Sequence, residues 1–153
     1  MRERRSSGRV KRALSLLLLA LAPVMAASGK PQNNRAIITD FARLFYTERD
    51  VAGAFEKYVA PDYIQHNPGL ADGREAAVAA LAPMFADRVK TFAIKRIVVD
   101  GDMAVIHVHV RPTPEARGAA VFDMYRLKNG KIVEHWDAIQ PIPAESKNPH
   151  PMF

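Results

Sequence analysis

From Thr91 onward the chain changes period, and that change constrains its fold more than any other feature. Four runs rich in valine, isoleucine and aromatic residues follow one another: Phe92–Val99, Met103–Arg111, Ala119–Leu127 and Lys131–Ile139. Asp100-Gly101 joins the first two and Asn129-Gly130 the last two. Both dipeptides favour the positive φ angles of a tight hairpin turn. Pro112-Thr113-Pro114 ends the second run and opens a longer loop. The sequence therefore predicts a meander of four antiparallel strands in the second half of the chain.

The part before Thr91 has helical spacing instead. Asn33 or Asn34 is placed to cap a helix carrying Ile37, Ile38, Phe41, Leu44 and Phe45 and ending near Arg49. Asp50 caps a second, short helix with Val51, Ala54, Phe55, Tyr58 and Val59 on its apolar face, and Pro61 breaks it. Tyr63–Gly69 reads as a loop closed by Pro68 and Gly69. Asp72 with Glu75 three residues on has the spacing of a capping box. It opens a third helix bearing Val78, Leu81, Phe85 and Val89, with Pro83 as a kink. Three helices followed by a meander is an α+β order.

Composition removes several function classes. The 153 residues contain no cysteine, which excludes disulfides, a thiolate nucleophile, a cysteine zinc site and a lipidated-cysteine anchor. Residues 1–12 hold six basic residues against Glu3, so all but one unit of the formal charge of +6 sits there. The rest of the chain is nearly neutral, and no nucleic-acid partner is expected. The basic stretch is followed by ten mostly apolar residues, Ala13–Ala22, then Pro23 and the small Ala26, Ala27 and Ser28. This order predicts a secretory signal peptide over 1–28, cleaved near 26–28. The apolar run is too short to span a bilayer, which takes about 20 residues. The expectation is a periplasmic or secreted domain over 29–153, with no membrane attachment after cleavage.

Two segments, Tyr63-Ile64-Gln65-His66-Asn67-Pro68 and the block from Phe122 to Asp137 with Asn129-Gly130 and His135-Trp136-Asp137, resemble the SnoaL-like group of the nuclear transport factor 2-like superfamily. The resemblance runs from about Asn33 to Pro143. It implies a cone-shaped α+β fold, three N-terminal helices packed on a curved antiparallel sheet around a central pocket, and a homodimer formed through the sheet. The group includes polyketide cyclases that catalyse an intramolecular aldol condensation. The acid/base aspartate of those cyclases lies just past the last hairpin turn, which matches Asp137. The cyclase histidine on the preceding strand matches Asp123, so two carboxylates stand here in place of a carboxylate and an imidazole.

Asp123 lies between Phe122 and Met124, and Asp137 follows Trp136. A carboxylate desolvated by apolar neighbours holds its proton more tightly and suits proton transfer at a carbonyl compound. Register poses a difficulty. A two-residue turn at Asn129-Gly130 sets Asp123 opposite Trp136 and Asp137 opposite Phe122, on opposite faces of the sheet. Only a β-bulge or a longer loop brings both aspartates to one pocket.

His66, in the segment read as a mouth loop, completes the set of candidate catalytic residues with Asp123 and Asp137. Tyr63, Asn67, His107, His109, His135 and Trp136 are candidates for binding substrate. Tyr58, Tyr63 and Tyr125 are candidate oxyanion donors, Tyr63 foremost because it neighbours His66. His107 and His109 share one strand face and could pair with His66 or His135 and an aspartate as metal ligands. No motif fixes a third ligand, so neither metal nor cofactor is expected. His135 and Trp136 must point oppositely, Trp136 into the core or the pocket wall. The proline-rich end is expected to lie over the surface or a partner subunit, with Phe153 as an apolar anchor. The resulting expectation is an exported protein with a pocket for a small apolar molecule, acting as an acid/base enzyme on an apolar carbonyl compound by aldol-type cyclisation or isomerisation. The alternative is a binding or dimerisation domain without chemistry.

Overall fold

A computed structural model describes residues 33–153; the expected signal peptide and its cleavage site lie outside these residues. Helix α1 (Asn34–Ala42) starts at Asn33, whose side chain accepts the Ala36 N–H at 3.0 Å. It runs on as a π-helical segment, Arg43–Glu48, that stops at Arg49 with φ of 62°. Two consecutive residues of this segment, Phe45 and Tyr46, are both buried. Asp50 caps α2 (Val51–Tyr58) by accepting the Gly53 N–H at 2.9 Å, as its position predicts.

The segment after α2 is a strand, not a loop. Strand β1 (Val59–Gln65) is the edge of a five-stranded sheet and runs parallel to the last strand. Proline is tolerated at a sheet edge because it need not donate to a ladder, so Pro61 does not preclude the strand. The pairing is irregular between Val59 and Ile64, around that proline. Helix α3 (Arg74–Ala86) also differs from expectation: Gly73, with φ of 94°, precedes it, and no side chain caps it. The Asp72 carboxylate accepts the Gln65 N–H at 2.8 Å instead, which ties β1 to the loop that leads into α3.

Strands β2 (Thr91–Asp100), β3 (Met103–Arg111), β4 (Ala119–Lys128) and β5 (Lys131–Pro141) form the expected antiparallel meander, and the sheet order is β1-β5-β4-β3-β2. Asn129 and Gly130 both take positive φ, 50° and 79°, at the last turn. The helices pack on one face of the sheet through Ile38, Phe41, Phe55, Ile106, Val108 and Ile132, all essentially buried. An aromatic chain continues this core toward the site: Phe45 lies 4.3 Å from Phe85 and Phe85 4.2 Å from Phe92, ring centre to ring centre.

Beyond its turn, β5 gains one residue on β4. Lys128 pairs with Lys131 and Leu127 with Ile132, but Arg126 pairs with Glu134, leaving Val133 as a bulge. From there on the phase is shifted and Asp123 lies directly opposite Asp137. The bulge is the device that the two-residue turn alone did not supply.

Candidate functional site

A cavity of about 360 Å³ opens between the helices and the inner face of the sheet. Phe45, Phe55, Leu81, Met84, Phe85, Phe92, Val121 and Ile139 make its walls. Asp123, His135 and Asp137 converge at its polar end, with one ligand atom from each lying within 4.8 Å of the others. Among the described residues, no lysine or arginine lines it.

Every polar group at this end is braced. The Tyr46 hydroxyl, delivered by the π-helical turn, donates to Asp123 Oδ2 at 2.7 Å and lies 3.1 Å from the Tyr125 hydroxyl. Burial first, then the neighbouring Asp123, pushes both phenols well above the ordinary tyrosine range, so each stays a neutral donor. Tyr63 is raised for the same reasons. His135 sets Nε2 3.1 Å from Asp123 Oδ1 and Nδ1 2.9 Å from Gln65 Oε1. Asn67 Nδ2 donates to Asp137 Oδ2 at 2.6 Å. Asp123 and His135 are 8% and 7% exposed, so this network sits out of bulk water.

Of the residues singled out from sequence, Asp123, Asp137, Tyr63, Asn67 and His135 line the cavity together. His66 does not. Its Nε2 is 2.7 Å from Glu134 Oε1, and its ring stacks on Trp136 at 4.5 Å with planes 5° apart. Glu134 also takes a guanidinium N–H from Arg126. Alternation along β5 puts Glu134 and Trp136 on the face opposite His135 and Asp137, and His66 follows them there.

His107 and His109 occupy that outer face as well. His107 stacks on Phe122 at 4.1 Å, and Phe153 packs on His109 at 4.2 Å. No cluster of metal-ligating groups joins either histidine among the described residues. Tyr58 is turned away, donating to Asp40.

Sequence reasoning missed Tyr46 and Gln65. Tyr63, Gln65 and Asn67 stand at i, i+2 and i+4, the signature of one strand face, and only the loop reading hid it.

Asp123, His135 and Asp137 offer a mixed donor set that a divalent cation could use, with Tyr46, Gln65 and Asn67 holding the outer atoms. The direct contact of His135 Nε2 with Asp123 Oδ1 also suits a proton in the same place.

Solved structures share this architecture. An NTF2-like protein of unknown function from Mesorhizobium loti is 19% identical, with a TM-score of 0.62 over 73% of this chain and 94% of its own. TsrD from Streptomyces laurentii is 23% identical, with a TM-score of 0.55 over 69% and 89%. A candidate polyketide cyclase from Acidithiobacillus ferrooxidans is 21% identical, with a TM-score of 0.54 over 75% and 91%. At these identities the likeness is one of fold. No curated protein matches the sequence. The SnoaL-like domain family matches residues 38–135, most of the described chain, and on that match the protein belongs to the SnoaL-like family of the nuclear transport factor 2-like fold.

Proposed function

We propose that the cavity takes up a small apolar carbonyl compound and that its polar end moves a proton on that compound. The observation that carries this is the opposition of Asp123 and Asp137 at the end of an apolar cavity, with His135 between them in sequence and in contact with Asp123. Asp137 takes the proton next to the carbonyl, leaving an enolate. The Asp123–His135 pair and the neutral Tyr63 hydroxyl, which accepts from Gln65 and keeps its own proton to donate, meet the negative charge on the enolate oxygen. The enolate carbon then either attacks a second carbonyl, closing a ring whose new alkoxide takes the proton back from the Asp137 carboxyl, or, where the enolate is conjugated, Asp137 returns the proton to a different carbon. The first outcome is an aldol cyclisation and the second an isomerisation. Names given to proteins of similar fold, a candidate cyclase and a candidate isomerase, point the same way. Export to the periplasm or the exterior, and pairing of two copies through the outer sheet face, belong to the same proposal. On that face Phe122 and Val98 are about half exposed.

The test needs no natural substrate. α-Tetralone in D₂O should gain deuterium next to its carbonyl faster with the protein than in buffer. Binding without exchange would leave a carrier rather than an enzyme.

A further inference from the structure

Resting on that reading of the cavity, we propose that Gln65 is a positioning residue: it keeps the proton on His135 Nδ1 and so directs the pair's remaining proton onto the line between His135 Nε2 and Asp123 Oδ1. The parallel pairing of β1 with β5 puts Gln65 in register with His135. The orientation of the Gln65 amide follows from its partners. Its Oε1 receives the Asn67 backbone N–H at 2.9 Å, and a backbone N–H can only donate. Its Nε2, on the other side, donates to the Tyr63 hydroxyl at 3.0 Å. The oxygen, not the amide nitrogen, therefore faces His135 Nδ1 at 2.9 Å, and that contact is a hydrogen bond only if Nδ1 carries a proton.

The consequence falls on the other nitrogen. With Nδ1 protonated, a neutral imidazole aims its Nε2 lone pair at Asp123 Oδ1, 3.1 Å away. Two lone pairs at that distance repel, so a proton lies between them, on the nitrogen or on the oxygen. Asp123 Oδ2 already accepts the Tyr46 hydroxyl, and a proton placed there would leave the repulsion between Nε2 and Oδ1 unrelieved. The groups that face the pair are Tyr46, Tyr63, Tyr125 and Asp137, none of them a cation at neutral pH. Gln65 thus assigns the acid to Asp123–His135. Asn67, two residues past the end of the strand, braces Asp137 as the base.

Histidine ¹⁵N NMR of the purified full chain, without any substrate, tests this. The wild type should show His135 protonated at Nδ1. Gln65→Leu should move His135 toward the tautomer with an unprotonated Nδ1, while Gln65→Glu, which still offers an acceptor to both the ring and the Asn67 N–H, should restore the wild-type signature. An unprotonated Nδ1 in the wild type, or His135 signals indifferent to Gln65→Leu in a folded protein, would overturn the proposal. If Gln65→Leu does not fold, Gln65→Glu decides: retention of the Nδ1 proton supports the assignment and its loss refutes it. Failure of α-tetralone exchange, by contrast, would remove the catalytic reading and leave the NMR result standing.

Discussion

Asp123 and Asp137 are cross-strand partners on the inner face of the sheet, and the extra residue Val133 is what makes them so. Without it the hairpin phase would put Trp136 opposite Asp123 and send the second carboxylate to the other side. One inserted residue thus decides whether the cavity has one acid or two. Cross-strand NOEs check this register directly. They should connect the backbone of Asp123 with that of Asp137 as an opposed pair, and that of Leu127 with Ile132. An opposed pair between Asp123 and Trp136 would remove the site as described.

Tyr46 links the helical layer to the sheet through a single hydroxyl. Tyr46→Phe removes the donor to Asp123 Oδ2 while keeping the ring that packs 4.6 Å from Phe45. A buried acceptor left without its partner costs about 1–3 kcal/mol. Urea unfolding should show a loss of that size, and Tyr125→Phe, which keeps the Tyr46–Asp123 bond, should cost less.

The cavity selects against negative charge. Its polar end holds two aspartates, and none of the described residues that line it is a lysine or arginine. A neutral bicyclic ketone should therefore bind at least about tenfold more tightly than a carboxylate of the same shape, because like charges set side by side cost several kcal/mol. Isothermal titration with such a pair of ligands measures the difference. Equal affinities would mean that the ligand does not reach Asp123 and Asp137.

Outside the site, His107 makes stability depend on pH. Burial lowers its proton affinity, and Arg96 and Lys95 lower it further. The unfolded chain then binds this proton more readily than the folded one, so stability falls as pH drops below about 6.5, the ordinary histidine value. Asp40 has the opposite origin but acts in a separate window. Tyr58, then Lys57 and Arg43, hold its carboxyl well below the carboxylate range, so its contribution is lost only below about pH 4. Chemical denaturation between pH 7 and 5 should show the decline in the wild type and a flatter profile in His107→Phe.

The meander, its last turn and two of the three helix starts were legible because each rests on local rules, whereas the first turn falls one residue later than expected, at Gly101-Asp102, with Asp100 still paired to Met103. Examples are positive φ at Asn129-Gly130, a side-chain cap from Asn33 and another from Asp50. The β1 strand was not, because Pro61 and the Pro68-Gly69 pair flank it like loop punctuation while its partner β5 lies some seventy residues away. Losing the strand lost the common face of Tyr63, Gln65 and Asn67, and it left His66 looking like a mouth residue. Tyr46 was hidden differently: it lies outside the i, i+3, i+4 pattern of Ile37, Ile38, Phe41, Leu44 and Phe45, and the π-helical segment that carries it has no local signal. The sequence requires a bulge or a longer loop for a shared pocket, but nothing in the residues that flank Val133 announces where it falls.

The most direct measurement is the behaviour of Asp137→Asn toward α-tetralone, with affinity and solvent deuterium exchange followed on the same samples. The predicted result is near-wild-type binding with exchange reduced at least about a hundredfold, the scale on which a positioned general base contributes. Exchange as fast as in the wild type would contradict the assignment of Asp137 as the base.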